Sequence, residues 1–260
     1  MTSGIGLSLT NVRVSYPPRE GEANEFVAVT GVSLDVQPGE IVAIVGPSGG
    51  GKTTILNVLA GFLPYSGEVS VGGQTPGRRR DLGYMFQREM LLPWRTMASN
   101  VALALEIRGV DRKRRNAEAV AFLERVGLAG FEHSFPYQVS GGMAKRASLA
   151  QVFIHKPSLL LLDEPFAALD PFTRASIEQD LLGLVEQSGT TTVFVTHNLQ
   201  EAIALSDRVV VMSALPGRVL GQHTIDIPRP RSVLDVQYTP RFVELEQQIW
   251  AQLRDQVLAA

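Results

Sequence analysis

The chain of 260 residues predicts an α/β fold with a mostly parallel sheet, an antiparallel β subdomain and an inserted helical subdomain. Three observations carry that prediction. The run IVAIV, Ile41 to Val45, is apolar at every position, as in a strand buried on both faces, and leads straight into the glycine-rich stretch GPSGGGKTT. Three later apolar runs, LLLL before Asp163, TTVFVT before His197 and RVVVM after Asp207, alternate with helical patterns, which is the order of a parallel sheet covered by helices. Between these two regions the segment from Met97 to about Leu128 has helical spacing and interrupts the alternation.

Each element follows from its local pattern. LSLTNVRVSY and VAVTGVSLDVQ, between Leu7 and about Val36, alternate apolar with polar residues across a Pro/Glu/Gly-rich interruption, which predicts antiparallel strands joined by a loop. KTTILNVLAGF continues from the glycine-rich stretch with helical spacing, so that region reads strand, loop, helix. SGEVSVGG reads as a further hairpin strand, and a helix is expected from Ser140 through GGMAKRASLAQVFIHK to Pro157. DIPRPRS is the linker-like piece. After it, Phe242, Leu245, Ile249, Leu253 and Val257 fall on one helical face, which predicts packing against the body. The whole is expected to be one domain over residues 1–260. Residues 7–75 include the antiparallel strands and the glycine-rich loop, 90–157 form the helical block, 158–226 resume the core, and 227–260 form a helical extension.

Composition bounds the function. At 45% hydrophobic residues the chain can bury a large core. A formal net charge of -2 and an isoelectric point near 6.1 argue against a nucleic-acid partner, which calls for a basic field. With no cysteine there are no disulfides, thiolate metal sites or cysteine nucleophiles. No apolar run approaches the ~18 residues of a membrane span, and the N-terminal stretch lacks the pattern of a signal peptide, so a cytoplasmic location is expected. The basic runs at Arg78 to Arg80 and Arg112 to Arg115 read as solvated loop and helix faces.

The chemistry starts at Gly46. Gly46 to Thr54 fits the phosphate-binding loop G-x-x-x-x-G-K-[ST], in the strand-loop-helix context that the motif needs. Gly46, Gly49, Gly50 and Gly51 let backbone N–H groups wrap phosphates, with Pro47, Ser48 and Thr54 completing the loop. Lys52 is expected to reach the β and γ phosphates and the Thr53 hydroxyl to ligate magnesium. Asp163, at the end of an apolar strand, is the expected partner of the metal, and Glu164 is placed to polarise an attacking water. His197 ends the following strand, where it can bond the γ phosphate or hold the water; the Gln87 amide, after LGYMF, can ligate magnesium or water. A second glycine-rich helix start, VSGGMAKR from Val139, looks like another phosphate cradle in a chain that already has one.

In their order, GPSGGGKTT, MFQ, VSGGM, LLLLDEP, the ALD turn ending in Asp170, and VTHN resemble the nucleotide-binding subunits of ATP-binding cassette (ABC) transporters, over nearly the whole chain. The resemblance implies a P-loop NTPase (ABC ATPase) core that uses ATP and Mg2+. It also implies an answer to the second cradle. Two cassettes pair head to tail, and Ser140, Gly141 and Gly142 of one bind the γ phosphate held by the other. Asp170 would then lie at the seam, and Tyr16 in VSYPP would stack on adenine. LLPW after the glutamine loop and the late VVVMSALPGRV resemble the nitrate, sulfonate and taurine importers. That group implies a homodimer serving two membrane permease subunits and, indirectly, an extracytoplasmic solute-binding protein, at the cytoplasmic face of the membrane. Leu92 and Trp94 would form part of the permease socket. Ala144, Lys145 and Gln151 depart from the family's usual polar pair and arginine, and Asn198 replaces the usual acid. None of these removes a phosphate ligand. The alternative readings are a soluble ABC ATPase not engaged in transport and a non-hydrolysing module that ATP merely dimerises.

Overall fold

The computed structural model describes residues 4–18, 25–77, 79–167 and 169–258. A three-stranded antiparallel sheet, in the order β2-β1-β4, is formed by β1 (Leu7–Tyr16), β2 (Phe26–Val36) and β4 (Ser66–Val71). A six-stranded sheet has the order β5-β6-β7-β3-β8-β9, from β5 (Leu82–Met85), β6 (Leu159–Asp163), β7 (Thr191–Thr196), β3 (Ile41–Val45), β8 (Arg208–Met212) and β9 (Val219–Thr224). Its strands run parallel except β9, which pairs antiparallel to β8 at the edge. The helices are α1 (Lys52–Leu59), α2 (Met97–Val101), α3 (Leu103–Ile107), α4 (Arg112–Arg125), α5 (Gly141–Phe153), α6 (Pro171–Ser188), α7 (Leu199–Leu205), α8 (Val233–Val236) and α9 (Pro240–Leu258).

The apolar strands are apolar throughout because each feeds two cores. Ile41, Ala43 and Val45 of β3 join a core with the helices of one face, while Val42 and Ile44 join a second core with α1 and the antiparallel sheet. The same period of two divides Leu160 and Leu162 from Leu159 and Leu161 in β6, and Val209 and Val211 from Val210 and Met212 in β8. The parallel sheet is thus the middle layer of the molecule. Burying one such leucine side chain contributes about 2 kcal/mol, so the repetition along these three strands makes this layer the rigid frame.

SGEVSVGG ends in a tight hairpin turn, with Val71 bridging Gln74, and its strand β4 pairs antiparallel with β1, Leu9 facing Val69, because its apolar side completes the second core. Three expectations from the sequence need correction. The helix after Ser140 ends at Phe153, not Pro157, and Lys156 turns the chain with a positive φ of 54° ahead of the proline. DIPRPRS is no linker. Arg231 is buried and donates to the carbonyls of Ile203, Ala204, Ser206, Ile225 and Ile227, while Arg229 donates to Leu205 and pairs with Asp207 and Glu186. The two guanidiniums cap the C-terminal carbonyls of α7, where cations are favoured. In the basic run Arg79 is not solvated either, since it donates to the Val71 carbonyl and pairs with Asp81, while Arg80 is exposed as expected. Arg78 lies outside the described residues. On α9 the faces of Phe242, Leu245, Ile249 and Leu253 are buried, as their spacing predicts, and the Val257 side chain lies outside the described part.

Candidate active site

Register assembles the site. Val45 pairs with Thr196 and with Val211, Asp163 with Val195, and Met85 with Leu162, so the C-terminal ends of β3, β5, β6 and β7 form one row. The residues that follow each end, Gly46, Gln87, Glu164 and His197, therefore meet at one edge of the sheet, where open parallel sheets bind their ligands.

From that edge Gly46 to Gly51 turn into α1. Gly51 is the N-cap of α1 with φ of 78°, and a Cβ there would come within 2.3 Å of the Val29 side chain. Glycine is required twice over at this position, by conformation and by space. The Lys52 side chain is only 6% exposed, and its ammonium donates to the carbonyls of Gly46 (2.9 Å) and Pro47 (2.8 Å). Burial lowers its pKa, against the attraction of Glu164 and Asp163, which raises it. A cleft of about 340 Å3 opens over the loop, lined by Ser48, Gly49, Gly51, Lys52, Thr53, Thr54 and Glu164, with Tyr16, Phe26 and Ala28 along its outer wall. A glycine-rich loop at a helix N-terminus, a lysine in the lining and a pair of aromatic side chains suit a nucleoside phosphate.

Beside the lysine, Thr53 Oγ1 donates to Asp163 Oδ1 at 2.9 Å. Asp163 is buried, and desolvation raises its pKa more than the Thr53 bond lowers it. Glu164 takes an unusual backbone, φ of 46°, which is costly for a residue with a Cβ. Its N–H donates to the Val195 carbonyl at 2.9 Å, and its carboxylate then meets two partners: Gln87 Nε2 donates to Oε2 at 2.8 Å, and His197 Nδ1 lies 3.4 Å from Oε1. Thr53, Asp163 and the Gln87 amide offer few, hard oxygen donors. Among the described residues no group of three or more His, Cys, Asp and Glu could cage a metal. That sparse set fits Mg2+, which keeps waters and binds largely through substrate phosphates.

The structure separates the other predicted residues from this cleft. Ser140, Gly141 and Gly142 do not line it. Ser140 is exposed and caps α5, its Oγ accepting from the Met143 N–H, and a Cβ on Gly142 would lie 2.5 Å from Thr173 of α6. Asp170 caps α6 by accepting from Phe172 and Thr173. The signature and Asp170 thus lie side by side on one surface, apart from the cleft of their own chain. The sequence reading passed over Phe26, although it pairs with Tyr16 across the β1-β2 register and lines the cleft with it. It also passed over Glu201, which accepts from Thr196 (2.5 Å) and Asn198 (3.3 Å) on either side of His197, and Trp250, which lines a second cavity of about 340 Å3 with Gly46, Pro47, Ser48 and His197.

Residues 29–167 match the ABC transporter family. An uncharacterised ABC transporter ATP-binding protein of Methanocaldococcus jannaschii is 41% identical over 241 residues, 92% of this chain and 89% of that one. The chain belongs to the ABC transporter family. The taurine import ATP-binding protein of Rhizobium johnstonii is 39% identical over 94% of this cassette and 95% of its own length. The bicarbonate transport ATP-binding protein of Synechococcus elongatus is also 39% identical over 94% of this cassette, which spans only 37% of that longer protein. A solved ATP-binding cassette, described as a dimer in a post-hydrolysis state bound to ADP and Pi, superposes with a TM-score of 0.75 at 30% identity, covering 85% of this chain and all of that one. This cassette is an ATP-binding ATPase with the α/β fold of its family.

Proposed function

We propose that this cassette is the energy-coupling subunit of an importer for a small solute of the nitrate, sulfonate and taurine kind, or a related aromatic or heterocyclic compound, working as a homodimer. One observation carries the hydrolytic part: the Glu164 carboxylate stands at the cleft between the Gln87 amide and the His197 ring, one residue from the Asp163 that holds Thr53. Glu164 accepts the proton of the attacking water, His197 and Gln87 hold that water and the γ phosphate in line, and Lys52 meets the β and γ phosphates. Magnesium bound near Thr53, Asp163 and Gln87 would neutralise phosphate charge. Tyr16 stacks on the base.

Ser140 and Gly141, both exposed, and Gly142, packed close to Thr173 of the helix that Asp170 caps, would complete the cleft of the opposite protomer. Bound ATP then favours closure by being shared between both chains, and loss of the γ phosphate removes the bridge. The importer assignment leans on the relatives, which include a nitrate import protein of Synechococcus elongatus at 39% identity. No helix among the described residues is long and apolar enough to cross a membrane, so the membrane path would come from two permease subunits, fed by an extracytoplasmic solute-binding protein, with this pair peripheral at the cytoplasmic face. Trp94, 72% exposed beside Met90 on the segment after Gln87, suits the permease contact; Leu92 is partly buried and contributes less.

The test is Glu164→Gln. Phosphate release is expected to fall at least ~100-fold while ATP-driven pairing, followed by sedimentation, persists. A variant that hydrolyses normally would remove Glu164 from the assigned role.

A further inference from the structure

The signature helix α5 carries a side chain that the reaction as described does not use. Lys145, in its second turn, is completely buried. Its ammonium donates to the Gln87 carbonyl at 3.2 Å and lies 3.6 Å from Glu89 Oε1. Both partners belong to the segment between β5 and α2, which carries the amide that touches Glu164. Burial lowers the pKa of this ammonium and Glu89 raises it. The other end of the same segment is held in a similar way. Asn100 of α2, also buried, accepts from the Leu92 N–H and donates to the carbonyls of Leu92, Arg95 and Thr96. A segment without strand or helix is thus fixed at both ends by buried polar side chains of the helical block.

We infer that Lys145 is a positioning residue for hydrolysis: by holding the Gln87 main chain it makes the helix that Ser140 caps and the amide that orients Glu164 move as one unit. The physical case is that a buried ammonium is costly unless its donors are met, so the Gln87 carbonyl cannot leave Lys145 without a penalty. From Gln87 the chain of contacts continues through Nε2 to Glu164 and from there to His197. Any tilt of α5 as its N-terminus engages a neighbouring phosphate is therefore transmitted to the residue beside the attacking water. This inference rests on the role proposed above for Glu164.

The experiment compares Lys145→Met, Lys145→Gln and the double variant Glu89→Leu/Lys145→Met in the full chain, measuring ATPase kinetics, affinity for a fluorescent ATP analogue, and Tm. Lys145→Met, which loses the donor, is expected to lower kcat about 10-fold with nucleotide affinity within twofold, the split that marks loss of transition-state positioning. Lys145→Gln keeps a donor for the Gln87 carbonyl and is expected to retain at least a third of kcat. The double variant leaves no orphaned charge and, if the single variant does not fold, carries the same test with the same expected loss. A folded donor-less variant with kcat within twofold of the original overturns the inference, as does a proportional fall of kcat and affinity. Glu164→Gln, assayed alongside, separates the two claims. If it is active, the role of Glu164 fails; if it is inactive while the donor-less variant is normal, only the role of Lys145 fails.

Discussion

Glu178 of α6 is buried, with one carboxylate oxygen among the buried polar atoms that lack a hydrogen-bond partner. Burial raises its pKa to about 7, with a further push from Glu201 and a partial offset from Arg174. Because the folded pKa lies above the unfolded value of 4.5, the folded chain binds more protons between those two values, and stability falls as pH rises from about 4.5 through about 7. Glu178→Gln, neutral at every pH, is expected to be the more stable protein at pH 8 by about 1–3 kcal/mol and to flatten this part of the pH profile. Thermal melts at pH 5 and pH 8 check it. Equal Tm differences at both pH values would contradict the assigned burial cost. A carboxylate in a helix reads in sequence as a solvated residue; only the tertiary packing of α6 makes this one a buried acid.

At the scale of elements, the decisive joint is where α7 ends. Its last carbonyls face Arg229 and Arg231 from the stretch that enters α8 and α9, so one short proline-containing segment satisfies a helix end and anchors the C-terminal helix. Burial, with Arg229 nearby, draws the Arg231 pKa down to about 10, which leaves it charged at neutral pH. Arg231→Met is expected to leave several buried carbonyls without donors and to cost about 3–5 kcal/mol, a fall in Tm on the order of 10 °C. Arg231→Lys should recover less than half, since one ammonium cannot span acceptors that the planar guanidinium reaches on two sides. Chemical denaturation of the three proteins measures both. The parallel strands needed no such context: β3, apolar at every position, and β6, apolar up to Asp163, announced a sheet covered on both faces, and the structure covers them so.

For the molecule as a whole, the separation of Ser140 to Gly142 from their own cleft has a consequence in solution. If each cleft is completed by a second copy, then mixing two inactive variants, Lys52→Ala and a Ser140→Arg/Gly141→Asp double, places both lesions in one site of each mixed pair and leaves the other site intact. An equal mixture is expected to recover up to about a quarter of the unaltered activity by random pairing. No recovery above either variant alone would mean that each chain completes its own site.

The sequence alone determined the glycine-rich loop between β3 and α1, the acidic strand end and the family's motif order, because these depend on local rules: a buried strand must be apolar, a tight turn into a helix needs glycines at fixed offsets, and a helix start needs a cap. Tertiary structure alone decided which distant residues meet. Parallel register brought Gln87, Glu164 and His197 to one edge, the second core drew β4 to β1, and burial turned Lys145, Glu178 and Arg231 from ordinary charged letters into groups whose partners constrain the fold. The reason is that the cost of a charge is set by its surroundings, and those surroundings come from segments far away along the chain.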